Sequence, residues 1–154
     1  MFFLKKLPSR KILNSYHERY SEMDIDGVEQ ALSELRSASI LLRKLDAYFS
    51  SYGLSQTRFL VLILIDRETN GTGLTPIELA DRLDVSKPVV SKTLKALVHE
   101  ELLHARPHES DQRSRIFGLT PKGKDLLHTL LPGYYVLLAK HVRSDSGRKE
   151  IQHE

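Results

Sequence analysis

Between Leu74 and Thr120 the chain carries two closely spaced helix starts and then a charged hairpin, and no other stretch restricts the possible folds as tightly. Thr75-Pro76-Ile77-Glu78 has the form of a capping box. The Thr hydroxyl can accept from the backbone amide three residues on, the Glu carboxylate can reach back, and Pro at the first helical position gives up no hydrogen bond. A short helix is predicted here, with Ile77, Leu79, Ala80 and Leu83 as the side available for burial. Asp84-Val85 makes a turn with Val85 directed inward. Ser86 is placed to cap a second helix, which has Pro88 in its first turn and runs to His99. Val90, Leu94 and Leu97 step by four and three along it and face the core. Leu102–Arg106 and Arg113–Leu119 read as short strands around the loop Pro107–Gln112.

The flanking chain reads as helix. From about Asp26 to Tyr52, the residues Ala31, Leu35, Ala38, Leu42, Leu45 and Phe49 recur at steps of four and three, a narrow apolar seam. Two readings fit it: an ordinary core helix, or a helix shared between two copies of the chain. Gly53 suits a left-handed C-terminal cap and Ser55 can cap the next helix. Phe59–Ile65 is apolar on all sides, which periodicity alone cannot assign to helix or strand. The cap before it and the unbroken Asp66-Arg67-Glu68 after it favour helix. Thr120-Pro121 opens a further helix with a seam of Leu127, Leu131, Tyr134, Leu138 and His141 and a kink at Pro132-Gly133. Residues 1–25 form a basic arm in which Ile12, Leu13, Tyr16 and Tyr20 could line a short helix, and residues 144–154 a polar tail. The resulting fold class is mainly α with a small β-hairpin.

At 154 residues the chain is long enough for a single domain with its own core. The absence of Cys excludes disulfides and thiolate metal ligands. His99 and His104 flank two acids but stand five apart, where the zinc-protease motif needs four, so no metal site is expected. Gly71 and Gly73 lack the third Gly and the Lys-Ser/Thr of a nucleotide loop. No Ser-His-Asp or paired-carboxylate set can be placed on convergent elements, so neither catalytic residues nor a cofactor are expected and the chain does not read as an enzyme. Its longest apolar run, Phe59–Ile65, is far below the roughly 18 residues that span a bilayer. The apolar part of Met1–Pro8 is too short for a signal peptide. A cytoplasmic location, away from membranes, is expected.

A net charge of +3 permits an anionic partner without demanding one, so placement decides. Opposite the buried side of the second helix lie Lys87, Pro88, Val89, Ser91, Lys92 and Lys95, beside the capping Ser86. A helix N-terminus with three ammonium groups attracts phosphate, while Val89 and Ser91 are short enough to meet base edges or thymine methyls. Any solvated helix can carry such lysines. The preceding helix and the following hairpin are what turn the reading towards DNA. In the hairpin loop, Asp111 can hold the Arg113 guanidinium ordered for a narrow groove, with Arg115 at the backbone or groove edge.

These residues resemble the MarR family of bacterial transcription regulators. The resemblance spans about Ala31 to Val142. It rests on Leu74-Thr75 with Glu78-Leu79-Ala80, on Leu83-Asp84-Val85-Ser86-Lys87, on Arg106-Pro107, on Asp111 and Arg113, and on Leu119-Thr120-Pro121-Lys122-Gly123. It implies a winged helix-turn-helix over residues 54–120, with residues 26–53 and 121–143 as dimerisation helices. It also implies a homodimer, with Ser86–His99 as recognition helix and the Asp111/Arg113 hairpin as minor-groove wing. The function implied is a sequence-specific regulator, a ligand-responsive repressor on a pseudo-palindromic operator in double-stranded DNA. The alternative is a winged-helix protein–protein interaction module that binds no DNA. A small-molecule effector, also implied by the resemblance, would meet Tyr48, Tyr52, Arg58 and Phe59, which also read as ordinary core and capping residues. The chain departs from the family at Asp84 and Glu101, which stand where Gly is usual. Ser144–Glu154 replaces much of the usual last helix, which leaves the size of the dimer interface open, and the basic N-terminal arm could compensate.

Overall fold

A computed structural model describes residues 2, 4–68, 73–108 and 114–151, with side chains as far as Ser144. In order along the chain are α1 (Arg10–His17), α2 (Ile25–Ser50), α3 (Gln56–Asp66), α4 (Pro76–Arg82), α5 (Lys87–His99), β1 (Leu103–Pro107), β2 (Arg115–Leu119) and α6 (Pro121–Ile151). The mainly helical class with one two-stranded hairpin agrees with the sequence reading. The chain divides into two compact units, Asp46–Val136 and a second made of Met1–Leu45 with Leu137–Glu154.

The larger unit holds nearly all the buried apolar side chains. Phe49 and Phe59 stack with ring centroids 4.3 Å apart, and Val61, Leu62, Ile63 and Ile65 of α3 are buried with them. The all-apolar stretch is thus a helix, capped by the Ser55 hydroxyl, which accepts from the Arg58 amide. Val90, Leu94 and Leu97 of α5 face this core, joined by Leu79 of α4 and by Leu127 and Leu130 of α6. The hairpin pairs Leu103 with Leu119 through Pro107 with Arg115. Leu74 bridges its second strand, exchanging two backbone hydrogen bonds with Phe117 at 2.9 and 3.0 Å.

Two helix ends in this unit share one construction. At the end of α2 the Leu54 amide donates to Phe49 O and Gly53, at φ +69°, donates to Ser50 O. At the end of α5 the Leu102 amide donates to Leu97 O and Glu101 to Val98 O. Both are Schellman motifs, in which the residue after the cap turns left-handed. Gly53 does this freely. Glu101 does it at φ +61°, the one non-Gly positive φ among the described residues. A left-handed non-Gly residue costs about 1–2 kcal/mol, whereas Gly adds roughly 0.5–1 kcal/mol of chain entropy. Glu101→Gly is therefore expected to stabilise the protein by about 0.5–1 kcal/mol, read as a higher urea midpoint at unchanged slope.

In the smaller unit the Phe2, Leu4 and Lys5 carbonyls lie against α2, accepting from Ser39 Oγ and Arg36 Nη1. Arg10 pairs with Asp26 and Glu29. Ser37 Oγ meets His141 Nε2 at 2.9 Å, joining α2 to α6. Of its large apolar side chains, Leu13 and Leu45 are buried. The seam read along α2 divides: Leu45 and Phe49 are buried, while Ala31 and Ala38 are exposed and Leu35 and Leu42 are 51% and 38% exposed.

Three expectations need correction. Ile77 is exposed rather than buried, because residues two apart on a helix lie roughly 200° apart and Leu79 takes the inward side. Ser86 occupies the N-cap position of α5 with extended backbone, but its side chain makes no capping hydrogen bond. The last helix does not stop at residue 143; α6 passes through Pro132 and continues to Ile151. Beyond residue 143 the chain holds no proline, and Gly147 alone weakens a helix by only about 1 kcal/mol.

Candidate nucleic-acid interface

The presentation of α5 begins with α4. Thr75 Oγ1 accepts from the Glu78 amide, and Glu78 Oε2 accepts from both the Thr75 amide and its hydroxyl at 2.8 Å. These bonds hold the Glu78 carboxyl below its usual range and keep the box ionised. Arg82 at the other end of α4 pairs with Glu68. With α4 anchored at both ends, the turn Leu83–Val85 delivers the chain to Ser86.

Helix α5 has two dissimilar sides. Val90, Thr93, Leu94 and Leu97 are buried, whereas Ser86, Lys87, Pro88, Val89, Ser91, Lys92 and Lys95 are all exposed. No Asp or Glu occurs between Lys87 and His99. The outer side therefore combines three cations, a hydroxyl left out of capping, and a half-exposed Val89, at a helix end that already bears partial positive charge. Such a surface can bind phosphate at several points and present small side chains to a groove.

Arg115 is exposed at the start of β2, opposite Pro107. One further backbone bond, from the His108 amide to Ser114 O at 3.1 Å, carries the ladder outward. Asp111 and Arg113 lie outside the described residues.

The residues suggested for an effector go two ways. Tyr48, Tyr52 and Phe59 join Phe49 and Tyr134 in one aromatic cluster, Phe59 being 1% exposed. The Tyr48 hydroxyl donates to Leu130 O at 2.6 Å. Burial, and then the neighbouring Tyr52 hydroxyl, push that phenol up to about 12. Arg58 is turned elsewhere: its Nη1 donates to Gly53 O at 3.2 Å and its Nη2 pairs with Glu100. That pairing spans residues far apart in the chain, and no local signal announces it. Among the described residues no three His, Asp or Glu side chains come together as a metal site would require, and no helix is long and apolar enough to cross a membrane.

The MarR family model matches residues 52–114, the stretch that contains α3, α4, α5 and β1. The transcriptional repressor YetL of Bacillus subtilis is 31% identical over 132 residues, covering 86% of this chain and 78% of that protein. Among solved structures, AbsC, a MarR family regulator of Streptomyces coelicolor, superposes with a TM-score of 0.66 at 16% identity over 97% of both chains. The M. tuberculosis regulator MosR, solved in complex with DNA, superposes with a TM-score of 0.60 at 24% identity, covering 80% of this chain and 90% of that one.

Proposed function

Because the chain belongs to the MarR family of transcriptional regulators, we propose that it is a cytoplasmic homodimeric repressor that binds a pseudo-palindromic operator in double-stranded DNA. The observation that carries this reading is the split character of α5, wholly apolar or buried on one side and basic, acid-free and exposed on the other. In the proposed docking, the two α5 helices of the dimer enter successive major grooves about one helical turn apart. Lys87, Lys92 and Lys95 neutralise phosphates, while Ser86, Pro88, Val89 and Ser91 lie near base edges. Arg113, ordered by Asp111, enters the minor groove, with Arg115 at its edge. Few of these groups can form bidentate base contacts, so DNA shape carries an appreciable share of the specificity.

Support for repression comes from YetL, a repressor by name. The exposed Leu35 and Leu42 support a partner copy laid along α2, since a lone chain leaves them in water. Ligand control rests on the family, with Tyr48 and Tyr52 the half-buried residues nearest to hand; a ligand that raises thermal stability without changing operator affinity would count against it.

Lys92→Ala and Arg113→Ala are each expected to weaken operator binding while leaving the dimer intact. Loss of Lys92 should lower the slope of log K against log salt by about 0.9, the share of one phosphate. Variants that bind as the parent does would overturn the docking. Selection from random duplex DNA should recover an inverted repeat. Failure to enrich any sequence would favour a protein-interaction module.

A further inference from the structure

The C-terminal end of α5 is held by three side chains that take no part in the proposed docking. Arg58 of α3 reaches two helix ends at once: Gly53 O, at the end of α2, and the Glu100 carboxylate, at the end of α5. Lys122, in the first turn of α6, donates to Glu100 O at 2.8 Å and lies 3.6 Å from the Glu101 carboxylate. Thr120 Oγ1 donates to Glu101 O at 2.6 Å, and its backbone amide to Leu102 O at 3.1 Å. Gly123 lets α6 start this close, because a Cβ there would stand 2.2 Å from Leu102 O.

We propose that Arg58 and Lys122 are positioning residues for operator recognition, which act by fixing the Glu100–Glu101 joint and so the angle at which α5 presents its outer face. Helix C-termini carry partial negative charge and unsatisfied carbonyls, and cations are the groups that satisfy them. Arg58 serves two such ends with one rigid fork, so a single side chain ties the α2 and α5 termini together. Its Nε is buried without a hydrogen bond, and Nη2 meets Glu100 as an ion pair rather than along an N–H direction. The charge therefore depends on Glu100 and Gly53 for its compensation. The left-handed turn at Glu101 has no glycine to relax it, so Thr120 and Lys122 supply the restraint on that side.

The proposal rests on α5 being the helix that meets DNA, and its test separates the two ideas. In the free protein, Arg58→Met and Lys122→Met should each speed hydrogen exchange at the amides of Glu100, Glu101 and Leu102 about tenfold, a readout that needs no DNA. Against the selected operator, each should lower affinity about tenfold with the salt slope unchanged, since neither residue neutralises a phosphate in this scheme. Arg58→Met placed on Glu100→Ala should cost clearly less than it does alone, because its hold on α5 runs through Glu100. Unchanged exchange would overturn the joint. A slope lowered by about 0.9 would make the residue a direct phosphate contact, and an undiminished loss in the Glu100→Ala background would place its action elsewhere. If the parent protein itself enriches no DNA sequence, the docking reading falls, and the positioning role falls with it even where exchange responds.

Discussion

Glutamate at both Leu35 and Leu42 is expected to leave a folded monomer whose operator affinity is lower by about a hundredfold or more. The two side chains are 51% and 38% exposed in the single chain and neither belongs to its buried core, so the substitution takes little from folding and the helical content should persist. In a dimer built along α2 the same positions become apolar contacts, and two carboxylates per chain would have to be desolvated there without partners. In the proposed docking, separating the copies also separates the two α5 helices. A second half-site then ceases to be an intramolecular event, and the gain of roughly 10²–10⁴ that tethering supplies is lost. Sedimentation and an operator titration on the same sample decide it. A double variant that stays dimeric and binds normally would mean that this stretch of α2 faces solvent in the assembly.

The second large effect concerns Phe59. Truncation to alanine removes a ring that is 1% exposed, stacks 4.3 Å from Phe49 and lies 4.8 Å from Tyr134. Loss of about 3–5 kcal/mol is expected, from the lost burial of the ring and the cavity it leaves. For a chain of this length that is a fall in Tm of about 10 °C, to be measured at fixed protein concentration. The size of the effect bears on how Phe59 is understood. A ring lining an open ligand site could be truncated at small cost, whereas a ring at the centre of the core cannot. A near-normal Tm for Phe59→Ala would reverse the assignment of this residue to the core.

How far each feature is legible in the sequence depends on the range of the interaction that makes it. The Thr75–Glu78 box and the Ser55 cap are made within four residues, and both appear as read. The inward residues of α5 are legible because Val90, Leu94 and Leu97 span two turns and fix the phase of the helix. On α4, seven residues long, Ile77 and Leu79 compete for one side, and only the packed structure decides between them. The α2 seam has helical periodicity from end to end, yet periodicity cannot say which half is covered by the chain itself. Arg58 is the plainest case of what sequence withholds. It sits one residue before the buried Phe59 and looks like part of an aromatic site, while its partner Glu100 is set by tertiary packing of α3 on α5. Glu101 lies between: its departure from the family's usual Gly is visible in the sequence, and its left-handed backbone only in the structure.

The two sides of α5 have a consequence for how such a protein can change over generations. Folding depends on Val90, Thr93, Leu94 and Leu97 and on the joint at Glu100, while the groups offered outward are a separate set that makes no contribution to the core. Mutations at Lys87, Val89, Ser91, Lys92 and Lys95 can therefore accumulate without passing through unstable intermediates. In the proposed docking, a duplicated copy could drift towards a new operator through that surface, while the inherited scaffold went on presenting whatever alphabet the exchange left there.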